Sequence, residues 1–372
     1  MYINNDDVIL TDSSRLITAA LAEAGADVFV GYPITPANLI YYYASKRFPT
    51  FMAAPDEITT IQWMTGFSAV GRLPITATSF PGYALMIEGI NMAYMMELPM
   101  VIIFVQRLGP ATGSATRGAQ GDVALLSGSI SGGMAIPSFS ISNTADCWNL
   151  PPKALEVAVK LRTPVIIFTS KEEVMTTFSI KREILHNIER IPREQYNKSD
   201  TYIPYEFDEK LVPSFLSLAQ TSHQVRFTAS THDKKGIIQN ATTEALENSM
   251  RLHWKIVNNL ESYTYYELDE QPGANVLLLS FGITSQAGRE AVKTLRSEGK
   301  QVSHLIAKTL LPVPQEYYEI CKKYKSVVVA EENLSGQYRQ LLFGSKPESH
   351  ISGVNAFGKM VNPGMIIKEI TK

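Results

Sequence analysis

Histidine is missing from the first half of the chain; all six lie at or after His186. A histidine-based triad in that half is excluded unless the imidazole comes from elsewhere, so proton transfer there falls to a carboxylate, a cofactor or a partner. Cysteine is nearly absent too. Cys147 and Cys321 are far apart, form no Cys-x-x-Cys pair and cannot supply the four thiolates of an iron–sulfur cluster. They read as buried, inert thiols. No apolar stretch approaches the length that crosses a bilayer; Met100 to Val105 is strand-sized. Met1 to Thr11 is polar and acidic, unlike a signal peptide, and the expected location is cytoplasmic, with no membrane partner. Positive charge is not in excess. Thirty-four Lys and Arg against 36 Asp and Glu give a net charge of −2, and the basic residues are dispersed, so nothing favours nucleic acid. There is no Walker loop, no His-Glu-x-x-His and no Gly-x-Gly-x-x-Gly after a strand. Gly121-Asp122 lacks the third small residue and the placed Asn of a metal–diphosphate motif, so no metal site is expected in this chain.

What the chain does have is a series of rigid, polar strand exits. Gly31-Tyr32-Pro33-Ile34-Thr35-Pro36 follows the apolar run Ala26 to Val30. Two prolines fix the backbone there, just where ligands bind in open α/β sheets, outside the carboxyl ends of strands. Thr78-Ser79-Phe80-Pro81-Gly82 and Gln106-Arg107-Leu108-Gly109-Pro110 follow apolar runs in the same way, which points to one shared site. Helical periodicity over Ser13 to Ala24 and strands at Val28 to Gly31, Leu73 to Thr78, Met100 to Gln106, Phe139 to Ser142 and Pro164 to Ser170 alternate with helices, one of them starting at Pro151. That alternation predicts a doubly wound, mostly parallel sheet. Composition turns polar between Thr177 and about Gln271, around an amphipathic helix from Glu244 to Leu260. A second α/β unit follows, with strands near Ala274 to Ser280, Gln301 to Ile306 and Ser326 to Glu331. The Gly/Ser/Thr-rich tract from Gly109 to Gly133 reads as a flexible loop covering a ligand.

Glu57 is the sharpest candidate for chemistry. Pro55-Asp56-Glu57 opens a helix, where a carboxylate also serves simply to oppose the helix dipole. Arg107, ending a very apolar strand, suits a bidentate grip on a carboxylate, or else pairs with Asp122 or Glu97. Met86, Met92, Met95, Met96 and Met100 read as core packing. Trp63 and Phe80 are bulky residues beside the site.

Tyr32 to Pro36, Pro55-Asp56-Glu57-Ile58, Thr76 to Gly82 and Val105 to Gly113, in that order and spacing, resemble the alpha subunits of 2-oxoacid:ferredoxin oxidoreductases, most closely the 2-oxoglutarate type. The likeness continues at Arg162 to Ile166, Phe227 to Gly236, Ser280-Phe281-Gly282 and Glu332 to Gln337. The resemblance implies a thiamine diphosphate pyrimidine-binding domain over residues 1–178, a connecting segment over 179–270, and a transketolase C-terminal-like domain over 271–372. It implies thiamine diphosphate shared with a beta subunit, which supplies Mg2+ and a [4Fe-4S] cluster. Ferredoxin, coenzyme A and the 2-oxoacid are the other implied partners.

By the same resemblance Glu57 is catalytic, hydrogen-bonding the cofactor's aminopyrimidine. Tyr32, Pro33, Thr78 and Ser79 contact the cofactor, and Thr35 and Arg107 hold the substrate's 1-carboxylate. The chain departs from the family where Phe80 and Leu108 replace glycine, where Gln62, Trp63 and Met64 replace small residues, and at Ala119, usually an acid. These departures keep pyruvate or a branched-chain 2-oxoacid as alternative substrates, and a non-catalytic partner-binding paralogue or a non-oxidative thiamine enzyme as alternative functions.

Overall fold

The computed structural model describes residues 7–218 and 223–372, so most of the opening polar stretch lies outside the described residues. Strand β1 (Val8–Asp12) leads into helix α1 (Ser13–Ala24). There follow β2 (Val28–Gly31), α2 (Asn38–Arg47), β3 (Thr50–Ala53), α3 (Glu57–Ala69), β4 (Pro74–Thr78), α4 (Phe80–Met95) and β5 (Met100–Gln106). A loop carrying the short helix α5 (Val123–Ser127) reaches β6 (Ser138–Ser140), α6 (Asp146–Leu161), β7 (Pro164–Ser170), α7 (Lys171–Met175) and β8 (Thr177–Lys181). After an irregular stretch come α8 (Thr243–Val257), β9 (Tyr266–Asp269), β10 (Val276–Phe281), α9 (Thr284–Ser297), β11 (Val302–Ala307) and β12 (Thr309–Leu311). The chain continues through α10 (Gln315–Cys321), β13 (Ser326–Glu331), α11 (Gln337–Phe343), β14 (Ile351–Asn355) and α12 (Pro363–Ile370).

Two large sheets result. The first has the order β12-β6-β7-β5-β4-β2-β3, parallel except for β12 at its edge. Its centre is the pair β5 and β7, fully buried on both faces, which is why these strands read as unbroken apolar runs. Each Ile, Val or Phe buried there contributes about 1.5–3 kcal/mol. The second sheet is β14-β13-β10-β11-β9, parallel except for β9. Exchange of elements joins the two units. Strand β12, flanked in sequence by second-sheet strands, pairs antiparallel with β6 of the first sheet. One continuous core runs from Val101 and Phe104 to Leu279 and Phe281.

Several boundaries differ from the sequence reading for local reasons. Helix α6 starts at Asp146 rather than Pro151, so two prolines lie inside it. Asn143 caps the Asp146 N–H, Ser142 donates to the Asp146 carboxylate at 2.6 Å, and Cys147, Trp148 and Leu150 are buried. These contacts offset the hydrogen bonds the prolines forgo. The 109–133 tract, read as a flexible cover, is anchored. Leu108 and Ser114 form an antiparallel bridge, the Leu108 N–H donates to Arg117 O, and α5 packs on α11. No described helix is long and apolar enough to cross a membrane.

Candidate active site

Strand β2 pairs with β3 on one side and β4 on the other, so the chain reverses its direction of winding at β2. The crevice outside the carboxyl ends of β2 and β4 is the place where such sheets bind ligands. The β2 exit carries Tyr32 to Pro36. Helix α3 begins at its mouth and helix α4 leaves from Ser79.

At α3 the two neighbouring acids divide the work. Asp56 is the N-cap and accepts from the Thr59 N–H at 2.6 Å. Glu57, one residue on, turns inward and is 6% exposed. Its carboxyl is pushed above the ordinary carboxylate range, first by burial and then by Asp56, with its own backbone N–H and Arg107 pulling the other way. The side chain lies in a cradle that only glycine leaves open. A Cβ on Gly82, in the first turn of α4, would sit 2.6 Å from Glu57 Oε1 and 2.1 Å from Thr78 Oγ1. Glu57, Thr78 and Gly82 are therefore packed together.

Arg107 leaves β5 buried, and its Nη1 donates to the carbonyl oxygen of Thr35. The Thr35 hydroxyl accepts from Asn38 Nδ2 at 3.3 Å. Arg107 thus joins the β5 exit to the β2 exit and lies within electrostatic reach of Glu57. It does not pair with Glu97. That residue is buried against Arg251 and against Lys255, whose Nζ is 2.6 Å away. Tyr32 and Pro33 stand exposed at the β2 exit. Of the bulky residues, Phe80 is half-buried against the core, Met64 is buried, and Gln62 and Trp63 lie on the outer face of α3.

Buried polar atoms without a partner among the described residues include Ser79 Oγ at the β4 exit, Gln106 Oε1 and Arg107 Nε at the β5 exit, and Asp122 Oδ2 in the loop that follows. Unpaired donors and acceptors at neighbouring strand exits fit a ligand carrying both kinds of polar group. Sequence reasoning weighed Asp122 only as an ion partner or metal ligand and assigned Gly82 no role.

The second sheet also reverses at β10, and its crevice is filled by the first unit. Gln120 Nε2 donates to Phe281 O at 2.8 Å, and its Oε1 accepts from Thr284 Oγ1 at 2.7 Å and from the Glu332 N–H at 2.9 Å. Its backbone N–H donates to Glu332 O at 2.8 Å, and its carbonyl accepts from Asn333 Nδ2 at 3.0 Å. The Glu332 to Gln337 segment therefore grips the loop that leads back to Arg107.

These features define a doubly wound α/β protein with a polar ligand crevice at the switch point of its first sheet. The family described as pyruvate flavodoxin/ferredoxin oxidoreductase, thiamine diphosphate-binding, matches residues 19–251, and the pyruvate:ferredoxin oxidoreductase core domain II matches residues 274–360. The chain belongs to this family and is a KorA-like alpha subunit within it. It is 31% identical over 323 residues to the 2-oxoglutarate synthase subunit KorA of Methanocaldococcus jannaschii, covering 86% of this chain and 87% of that protein. It is 29% identical over 327 residues to the ketoisovalerate oxidoreductase subunit VorB of Methanothermobacter thermautotrophicus, covering 85% and 84% respectively. Its fold matches the 2-oxoglutarate:ferredoxin oxidoreductase of Magnetococcus marinus, solved with 2-oxoglutarate, coenzyme A and succinyl-CoA, at a TM-score of 0.90 and 28% identity. That match spans 98% of this chain and 65% of the other.

Proposed function

We propose that this chain is the alpha subunit of a thiamine diphosphate-dependent 2-oxoglutarate:ferredoxin oxidoreductase. With a beta subunit it converts 2-oxoglutarate, coenzyme A and oxidised ferredoxin to succinyl-CoA, carbon dioxide and reduced ferredoxin, or runs the reverse. The similarity to KorA proteins and to the Magnetococcus enzyme supports 2-oxoglutarate over the branched-chain acid of VorB. Residues 1–178 take the pyrimidine-binding role, 179–270 connect, and 271–372 form the transketolase C-terminal-like unit. Mg2+ and the [4Fe-4S] cluster belong to the beta subunit, and the complex works in the cytoplasm.

The observation that carries this reading is the Glu57 carboxyl, buried at a sheet switch point, raised in pKa and held against Gly82. Thiamine diphosphate, when bound, supplies the carbon nucleophile and electron sink that decarboxylation of a 2-oxoacid requires. Glu57 holds and returns a proton at the cofactor's aminopyrimidine edge, and burial keeps that proton available nearer neutral pH than an exposed carboxyl would. Arg107 and Thr35 orient the substrate's 1-carboxylate. Over-stabilising a group that must leave as neutral carbon dioxide would slow the step, so their contribution is alignment. Thr78 and Ser79 line the cofactor side, Ser79 with an unpartnered hydroxyl, while Tyr32 and Pro33 form its outer rim.

Glu57→Gln tests the assignment in the reconstituted alpha–beta complex, read by 2-oxoglutarate-dependent reduction of a low-potential dye with coenzyme A. Turnover should fall roughly 100-fold or more while the melting temperature stays unchanged. Near wild-type turnover rejects the role of Glu57.

A further inference from the structure

We propose that Asn38 is a positioning residue for Thr35: its amide fixes the direction of the Thr35 hydroxyl, so that the O–H is kept for the substrate's 1-carboxylate. The proposal rests on the functional reading above, in which Thr35 meets that carboxylate, and adds to it a residue outside the assigned site.

Asn38 opens α2, directly after Thr35-Pro36-Ala37. An Asn at a helix start ordinarily serves the backbone, its side-chain oxygen accepting from an N–H in the first turn. Here it does not. Ala37 is the cap residue, and no side chain caps the helix. The Asn38 amide turns back toward the β2 exit instead, and its Nδ2 donates to Thr35 Oγ1 at 3.3 Å. That is the only hydrogen bond of the Asn38 side chain among the described residues.

Thr35 is thereby held at two points. Its carbonyl oxygen accepts from Arg107 Nη1, which ties down the main chain, and its hydroxyl accepts from Asn38, which ties down the side chain. A hydroxyl has one proton and two lone pairs. Asn38 takes a lone pair. The proton has no acceptor among the described residues, and Thr35 is half-buried at the β2 exit rather than sealed in the core.

The direction of this bond decides what a ligand meets. A carboxylate only accepts hydrogen bonds. A threonine turned by an amide N–H offers it a donor. A threonine beside an acceptor at position 38 would spend its proton on that neighbour and offer lone pairs, which repel a carboxylate. Arg107 complements the arrangement. With Nη1 on the Thr35 carbonyl, the other edge of the guanidinium, formed by the unpartnered Nε and by Nη2, is left for a carboxylate. Two strand exits then present donors only.

The test is a double-mutant cycle in the alpha–beta complex, read as kcat/KM for 2-oxoglutarate, with melting temperature and thiamine diphosphate affinity by calorimetry as checks on folding. Asn38→Ala should lower kcat/KM about 2- to 10-fold, the range for one neutral hydrogen bond. In a Thr35→Val background, which has no hydroxyl to orient, it should cost nothing further; in a Thr35→Ser background, which restores one, the cost should return. Asn38→Asp puts an acceptor in place of the donor and should cost more, roughly 10-fold or beyond. Its melting temperature should be unchanged or raised, because an acid in the first turn of α2 suits the helix dipole. An Asn38→Ala loss that is absent, or the same in all three backgrounds, overturns the proposal, as does Asn38→Asp at wild-type kcat/KM. Thr35→Val at wild-type kcat/KM overturns the contact of Thr35 with the carboxylate, and the proposal with it. A wild-type complex that neither binds nor turns over any 2-oxoacid overturns the functional reading instead.

Discussion

Gly82 is the floor on which Glu57 rests: a methyl group there would overlap both the Glu57 carboxyl and the Thr78 hydroxyl. The relationship makes a helical glycine, whose backbone conformation asks for none, a determinant of the site. Gly82→Ala should cost about 1–3 kcal/mol through overpacking, because the neighbours are Glu57 in the first turn of α3 and Thr78 at the buried end of β4. It should also displace the carboxyl by about an ångström, a misplacement that costs roughly 100-fold in turnover. Dye-reduction kinetics of the reconstituted complex, beside a urea melt of the chain, separate the two effects. Full turnover in Gly82→Ala would show that the position of Glu57 is not set by this contact.

Glu97 anchors the connecting segment rather than the site. It is fully buried, accepts from Arg251 and Lys255 on α8, and lies beside Arg162, which donates to the Pro213 and Ser214 carbonyls. Burial alone would raise its carboxyl, but Arg251 and Lys255 outweigh that and hold it at about 2. A carboxyl whose folded value lies below its unfolded one stabilises the protein above about pH 4.5, and the contribution is lost as pH falls toward 2. Glu97→Gln leaves two buried cations without a counter-charge and should cost about 3–5 kcal/mol at pH 7, read from the urea midpoint. A loss under about 1 kcal/mol would mean that water already reaches this network.

The pattern of apolar residues made β2, β4, β5, β6 and β7 legible because those strands are buried on both faces, whereas β3, half-exposed over Thr50–Ala53, carries too weak a pattern and went unread. Thr35 and Arg107 stood out as candidates for the same reason, strand ends in such a sheet being where ligands bind, whereas Glu57, at a helix start, stood out only through the family resemblance. Contacts between segments distant in sequence were not. Strand β12 is three residues whose partner is β6, about 170 positions earlier, and nothing local marks that pairing. Strands β1 and β8 pair only with each other and are partly exposed, so they show weak periodicity. Gln120 sits in a tract that reads as loop by composition. Its importance arises from Phe281, Thr284 and Glu332, brought to it by the second sheet.

Glu173 offers a case in which removing a charge should stabilise the protein. Its Oε2 accepts from Thr169 Oγ1 and the Ser170 N–H, both at 2.8 Å, while its Oε1 is buried without a partner. Burial, against those hydrogen bonds, pushes the carboxyl up to about 8. A carboxyl raised in the folded state stabilises below its unfolded value near 4.5, and that contribution is lost as pH rises through 8. Glu173→Gln keeps an oxygen for both donors and carries no charge. At pH 5 the variant should be about 1 kcal/mol less stable, since its amide N–H groups meet no acceptor. At pH 9, where the wild-type carboxylate is ionised in the core, the order should reverse. Asp122 and Glu332 are raised to about 7 and contribute a slope of the same sign. Those two acids are common to wild type and variant, so the difference between the two pH curves isolates Glu173. Urea midpoints at half-unit steps from pH 5 to 9 should fall more steeply in the wild type than in the variant, and parallel curves would place the ionisation elsewhere.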